Sequence, residues 1–301
     1  MEQVVVLGSL NMDQVIRVKK MPKKGETILG LGMSKVPGGK GANQAYAIGR
    51  LGGKVSMIGA VGQDESGQIL KKNLDSVGVN TDCVMELSDV STGNAVITVD
   101  QEAENSIIVL QGANAELTTA HIDAFKEMIS EADVVLMQLE IPVEVVEYTA
   151  KMASEMGKTV ILDPAPAVPD LPETLLKYID VIKPNETELS VLSGMPVTNL
   201  EEAAAAAKKL LKKGVAKVIV TMGADGSLLV TEDEIRHFPS EKVKAIDTTA
   251  AGDSFIAAFV VAITGGKSCE EAIVYGNRIS AVTVTRKGAQ TSIPDKTEVP
   301  L

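Results

Sequence analysis

The chain has 301 residues, 45% of them hydrophobic, enough to close a large core in one domain or in a domain with a small appendage. Its 40 Asp and Glu against 29 Lys and Arg leave a formal charge of -11, which repels polyanions and argues against nucleic acid as a partner. Met1-Glu2-Gln3 carries no basic leader, and no run approaches the ~20 apolar residues of a membrane span, so a cytoplasmic protein without membrane contact is expected.

Val4-Val5-Val6-Leu7 reads as a buried strand ending in the turn Gly8-Ser9, the first strand of an open α/β sheet. Between residues 13 and 36, short apolar pieces (Val15, Ile16, Val18; Thr27, Ile28, Leu29) are punctuated by Pro22, Gly25, Gly30 and Gly32, a pattern of strands and turns. Residues 42–51 have helical composition and lead into a strand over 55–59. A second alternating stretch, 95–99 and 106–110 about the polar turn 100–105, predicts a β-hairpin. Beyond residue 115 strand and helix alternate, with strands at 134–139, 159–163, 181–183, 218–221 and 227–231 and an alanine-rich helix over 201–211. That rhythm indicates parallel β-α-β units. The expected fold is α/β, a doubly wound, mostly parallel sheet flanked by helices, in a single domain over residues 1–301. The early segments, about 13–37 and 90–112, project from it as a small separate β-sheet.

Several chemistries are excluded by spacing. Cys83 and Cys269 have no CxxC and no clustered histidine around them, which predicts free thiols rather than a zinc site or disulfide. Pro37-Gly38-Gly39-Lys40-Gly41-Ala42-Asn43-Gln44 invites comparison with a P-loop. That motif needs Gly at position 34 and Ser or Thr at 41, where Ser34 and Gly41 stand instead. No GxGxxG follows the first strand, which continues Gly8-Ser9-Leu10-Asn11, so a nicotinamide enzyme loses its main support. The glycines of 38–41 instead supply backbone able to approach a small ligand, opening onto a helix whose first N–H groups are expected to be unpaired. A plain strand-to-helix turn is the alternative.

Asp247-Thr248-Thr249-Ala250-Ala251-Gly252-Asp253-Ser254-Phe255 runs into the apolar helix 255–263. Small residues at a helix start leave N–H donors that stabilise charge developing on a transferring phosphoryl group. Asp253, in that first turn, is placed to take a proton from an attacking hydroxyl. The competing reading is an acidic residue favouring the helix dipole, worth a few tenths to ~1 kcal/mol.

Taken together, Gly38 to Ala45 and Asp247 to Asp253 resemble the two signatures of the ribokinase (PfkB) family of carbohydrate kinases, in the right order and at the right separation. The likeness extends over nearly the whole chain, through Gly8 to Asp13, Gly25-Glu26-Thr27, Ser91-Thr92-Gly93, Gln138-Leu139-Glu140, Asn185 to Glu188 and Thr285 to Gln290. Ala250-Ala251 and the Thr285 to Gln290 run are similar to the ribose-specific branch rather than to the fructose or adenosine branches. The resemblance implies transfer of the γ-phosphoryl of ATP to the 5-hydroxyl of D-ribose, with Mg²⁺ carried by the nucleotide.

It also implies roles. Asn11, Asp13, Gly39, Lys40, Gly41, Ala42, Asn43 and Glu140 would hold the sugar, whose hydroxyls need such donors and acceptors. Asp253 would be the base, and Ala250, Ala251 and Gly252 would form the anion hole. Asn185 would meet the ATP phosphates and Glu188 the waters of Mg²⁺. Read without the family, that pair is a capped helix start after Pro184. Thr221, Gly223, Ala224, Asp225 and Gly226 would wrap the nucleotide, and Asn277 stands beside the adenine where some members carry histidine. A monovalent cation, K⁺, would be held by Asp247 and the backbone oxygens of Thr249, Thr283, Arg286 and Gly288, with Ser292 nearby. The small sheet would serve as a lid that excludes water and as a homodimer contact. Its apolar residues Ile16, Val18, Ile28, Val96, Ile97, Ile107 and Val109 suit either internal packing or a partner. His121 and His237 sit in polar stretches and receive no catalytic role.

Two other readings remain at this level: a kinase of another furanose or nucleoside (deoxyribose, pseudouridine, fructose), and a sugar- or nucleotide-binding protein without catalysis.

Overall fold

The computed structural model describes residues 3–102 and 104–301. The chain opens with β1 (Gln3–Leu7), crosses into β2 (Asn11–Arg17) and β3 (Gly32–Gly38), and returns through the Lys40–Arg50 helix to β4 (Lys54–Gly62) and β5 (Val84–Leu87). β6 (Gly93–Val99) and β7 (Asn105–Leu110) form the expected hairpin, after which β8 (Val134–Met137), β9 (Thr159–Leu162), β10 (Val181–Ile182), β11 (Lys217–Thr221), β12 (Ser227–Val230) and β13 (Ile235–Phe238) follow.

Among the described residues the main sheet has nine strands in the order β13-β12-β11-β10-β9-β8-β1-β4-β5. From β5 through β11 every pairing is parallel. The chain winds outward from β1 in both directions, so the topological switch lies at β1 and β8. In an open α/β sheet the crevice beyond the carboxyl ends of the strands at that point binds ligands. β1 is buried on both faces, with Val5 and Leu7 in one core and Val4 and Val6 in the other. One core is closed by the helices Val143–Glu155 and Leu200–Lys212, the other by Lys40–Arg50, Ala251–Thr264 and Cys269–Thr283. Phe255 and Phe259 are 1% exposed in the second core, and each contributes on the order of 2–3 kcal/mol through burial.

The far edge carries the antiparallel part of this mostly parallel sheet. β12 runs antiparallel to β11, and β13 antiparallel to β12. The turn between β11 and β12 is far too short for a crossover, which forces a hairpin. Residues 27–29 form no strand, and Leu29 is 90% exposed.

The small sheet has the order β3-β2-β6-β7, with β2 and β6 parallel and both outer pairs antiparallel. It rises from the site rim, since β2 begins three residues after Gly8 and β3 leads into the Lys40–Arg50 helix. Val18 packs inside, whereas Ile107 and Val109 are 53% and 50% exposed. For those two, internal packing is not the reason they are apolar.

Two glycines fix the join between β1 and the first helix. Gly39 has φ 86°, and a Cβ on it would lie 2.7 Å from the Asn11 nitrogen. A Cβ on Gly41 would lie 2.6 Å from the Gly8 carbonyl carbon and the Ser9 nitrogen. Gly41→Ala therefore costs about 1–3 kcal/mol of stability, read as a shift in urea midpoint at unchanged m-value. An unshifted midpoint would mean that this contact does not hold the loop.

Candidate active site

The crevice is assembled from loops that leave the carboxyl ends of β1, β8, β9 and β10. Ser9 and Glu140 meet first: Ser9 Oγ donates to Glu140 Oε2 at 2.5 Å, and the Lys40 N–H donates to the same oxygen at 2.9 Å. The Gly41 N–H donates to Ser9 Oγ, the Ala42 N–H to the Ser9 carbonyl and the Asn43 N–H to the Gly39 carbonyl. The expectation of unpaired N–H groups at this helix start is thus corrected. Glu140 and Ser9 occupy them, because a buried helix end without partners would be too costly.

The second helix start behaves differently. Ala250 is its N-cap in the left-handed region, φ 60° and ψ 12°, a strained choice for a residue with a side chain. The Ala251 N–H reaches the Thr248 carbonyl and the Ser254 N–H the Ala250 carbonyl. Among the described residues the N–H groups of Gly252 and Asp253 have no backbone acceptor, so they are the free donors at this turn.

Asp253 is 6% exposed and is clamped from the first helix: Asn43 Nδ2 donates to its Oδ2 at 3.0 Å and Gln44 Nε2 to its Oδ1 at 3.0 Å. Asn43 is fixed in turn by Gln290 Nε2, and Gln44 by Gln138 Nε2. Gln44 Nε2 also reaches Asp163 Oδ2 at 2.8 Å, and Asp163 pairs with Lys183 at 3.0 Å with both side chains buried. The Lys40 ammonium lies amid this acidic group. Burial disfavours its charge, but Asp253, Asp163, Glu140 and Glu188 outweigh that and hold it well above the ordinary lysine range.

Beside this cluster a cavity of about 280 Å³ is lined by Asn11, Val109, Gln111, Asn114, Leu139, Glu140 and Pro166. Asn11 is oriented by the fully buried Asn114, whose Nδ2 donates to Asn11 Oδ1 at 2.8 Å. Asp13 packs against Gly38, where a Cβ would stand 2.2 Å from its carboxylate. Burial, and next the charge of Glu140, push the Asp13 carboxyl up to about 7.

The remaining expected residues fall in two places. Asn185 and Glu188 form a capping box at the Glu186–Ser193 helix, each accepting from the other's backbone N–H at 2.8 Å. Burial first, moderated by Lys183, holds the Glu188 carboxyl above its ordinary value. Asn185 bridges to Thr221, which ends β11 just before the turn Gly223–Asp225 and Gly226. Asn277 is buried with its amide on the Phe238 carbonyl, so its side chain ties a helix to β13. Asp247 accepts from the Thr249 N–H and Oγ1 and from the Gly288 N–H. Partial burial opposes its charge, yet those bonds hold its carboxyl below the usual range. Thr283 and Arg286 lie at the end of the Cys269–Thr283 helix, and Ser292 Oγ donates to the Ala289 carbonyl.

Gln44, Asp163, Lys183 and Asn114 join the site without having been assigned to it. Asp163 and Lys183 each directly follow a parallel strand, the position where such sheets carry functional groups. Nothing in the local pattern marks Asn114.

The family model described as pfkB family carbohydrate kinase matches residues 1–296. The chain is 42% identical over 295 residues to a ribokinase of Haemophilus influenzae, covering 98% of this chain and 96% of the relative. It is 38% identical over 291 residues to a deoxyribokinase of Salmonella typhi, covering 97% and 95%. The structure of Arabidopsis thaliana ribokinase complexed with ribose and ATP superposes with a TM-score of 0.93 at 37% identity, covering 99% of this chain and 97% of that one. A family match along nearly the entire sequence, with the buried aspartate and free amides where the two signatures converge, makes this chain a member of the pfkB family of carbohydrate kinases.

Proposed function

We propose that the chain transfers the γ-phosphoryl group of ATP to the 5-hydroxyl of D-ribose, giving D-ribose 5-phosphate. The observation that carries the reading is the buried carboxylate of Asp253, clamped between Asn43 and Gln44 beside the free N–H groups of Gly252 and Asp253. The ribokinase relatives and the ribose–ATP complex named above support the choice of sugar. Ribose occupies the cavity beside Asn11 and Glu140, with Asp13 and the Lys40 ammonium, both of which feel the charge of Glu140, as its further partners. As O5 attacks the γ-phosphorus, its proton passes to Asp253, and the bond to the bridging oxygen breaks with the electron pair leaving on ADP. Positioning and the donors at the Ala250–Asp253 turn supply most of the rate.

Asn185, Thr221, the 223–226 turn and Asn277 line the nucleotide's path. Magnesium, arriving on the triphosphate, supplies charge neutralisation, and the Glu188 oxygen not used in the capping box is suited to order its waters. Asp247 and the backbone oxygens of Thr249, Thr283, Arg286 and Gly288, with Ser292, make a hard-oxygen set suited to K⁺ beside the anion hole. The β2-β3-β6-β7 sheet acts as a lid, and its exposed Met33, Ile107, Ile108, Val109 and Leu110 fit a second copy of the chain in a homodimer. A cytoplasmic setting suits a reaction that draws on ATP. Among the described residues no helix is long and apolar enough to cross a membrane.

The deoxyribokinase relative favours one second reading, 2-deoxyribose as the preferred sugar. A panel of ribose, 2-deoxyribose, fructose and pseudouridine, assayed by ADP release, separates the two. Ribose is expected to give the highest kcat/KM, and a higher value for 2-deoxyribose would exchange them. In the same panel, replacing K⁺ by choline lowers turnover ~5–150-fold, and Asp247→Ala abolishes that response. Equal turnover in both salts would remove the cation from the account.

Asp253→Asn is expected to lower kcat ~10²–10⁴-fold while ribose affinity by calorimetry changes little. Unchanged turnover would strip Asp253 of its role. Asp13 adds a pH dependence with opposite signs in two measurements. Its folded value of about 7 lies above the ordinary 3.8, so it contributes stability that is lost as pH rises across that interval. Ribose affinity instead improves as pH rises through 7, when Asp13 becomes a full acceptor. Thermal melts and calorimetry between about pH 5 and 8, a range that brackets this value, should show both trends reduced in Asp13→Asn.

A further inference from the structure

We infer that Lys183 is a further catalytic group of this site, its ammonium holding the phosphoryl group during transfer. The inference rests on the reading of Asp253 as the base. Lys183 directly follows β10, and its side chain is 4% exposed. An ammonium carries three donors and no acceptor, and burying it without hydrogen bonds is costly. Yet no hydrogen bond is made by Lys183 Nζ among the described residues. Its ion-pair partner, Asp163 Oδ1, lies 3.0 Å away but is itself a buried atom without a hydrogen bond. The ammonium is near its counter-ion and not aimed at it.

Its position shows what it faces. A Cβ built on Gly252 would stand 3.0 Å from Lys183 Nζ, so the ammonium lies over the Gly252 α-carbon. The unpartnered N–H groups of Gly252 and Asp253 belong to the same turn. A phosphoryl group received by those amides comes within reach of the lysine's free donors. Lysine is suited to this task as a compact point charge.

The geometry also couples cation and base. Gln44 Nε2 donates at once to Asp253 Oδ1 and to Asp163 Oδ2, so one buried side chain sets the spacing between the base and the partner of Lys183. Neutralising Asp163 does not by itself require Lys183, because the Lys40 ammonium also feels the charge of Asp163. In the step, the O5 proton goes to Asp253, the O5–P bond forms and the bridging P–O bond breaks towards ADP. Lys183 stays protonated throughout and donates to a peripheral phosphoryl oxygen, transferring nothing.

The test works in an Asp163→Asn background, where removing the lysine leaves no unpaired carboxylate at position 163. Adding Lys183→Met to Asp163→Asn lowers kcat a further ~10²–10³-fold, with ribose affinity and melting temperature matching the single variant. Lys183→Ala in the same background regains turnover when ethylammonium is supplied, a response that a merely structural lysine would not give. Turnover of the double variant equal to that of Asp163→Asn, a loss shared equally by ribose affinity, or an Ala variant indifferent to ethylammonium would each overturn the inference. Asp253→Asn assayed alongside keeps the two readings apart. If it is inactive while the Lys183→Met double variant is not, only the lysine falls. If it is active, the base reading falls first.

Discussion

The constraint on which the site depends is the burial of one carboxylate. Asp253 has little access to water, and a charged group in that position persists only where fixed donors replace its hydration. Asn43 and Gln44 supply them, one amide to each oxygen, from neighbouring positions of a single helix start. This explains why two segments more than two hundred residues apart must meet at that place. It also explains the tight turn at Gly39 and Gly41: a side chain at either would push the first helix away from β1 and withdraw both amides.

Around that clamp the charges are arranged in opposition. Glu188 and Asp13 lie half-buried close to other acids and are held less acidic than usual, while Lys40 is held more firmly protonated by the surrounding carboxylates. An incoming triphosphate meets lysine charge and two free amides at the bottom of an otherwise acidic crevice. A neutral sugar meets only side-chain donors and acceptors at its rim. In the proposed reading, the separation of these two surfaces would give the site its direction, with the sugar beside the cavity at Asn11 and Glu140 and the phosphates over the Ala250–Asp253 turn.

Much of this is legible in the sequence. The apolar runs of β1 and β8, the glycine loop before Lys40 and the small residues before Asp253 carry strong local signals, because each demands a particular backbone or burial. What stayed hidden depends on distance in space. The engagement of the 40–42 amides by Ser9 and Glu140 follows from long-range packing that no local window reports. Asn114, Asp163 and Lys183 look like ordinary polar residues flanking strands until the sheet order brings them together. The direction of the edge strands is set by the short turn at 223–226, and β13 carries a weak local signal because Arg236 and His237 give an edge strand the polarity of a loop.

The central claim is that Asp253 activates a primary sugar alcohol for direct attack on ATP. Phosphorus NMR of the product formed from ATP and D-ribose tests it most directly. The account predicts a single new phosphomonoester whose phosphorus couples to the two protons of C5. A phosphate ester on any other carbon, or inorganic phosphate as the only new signal besides ADP, would contradict it.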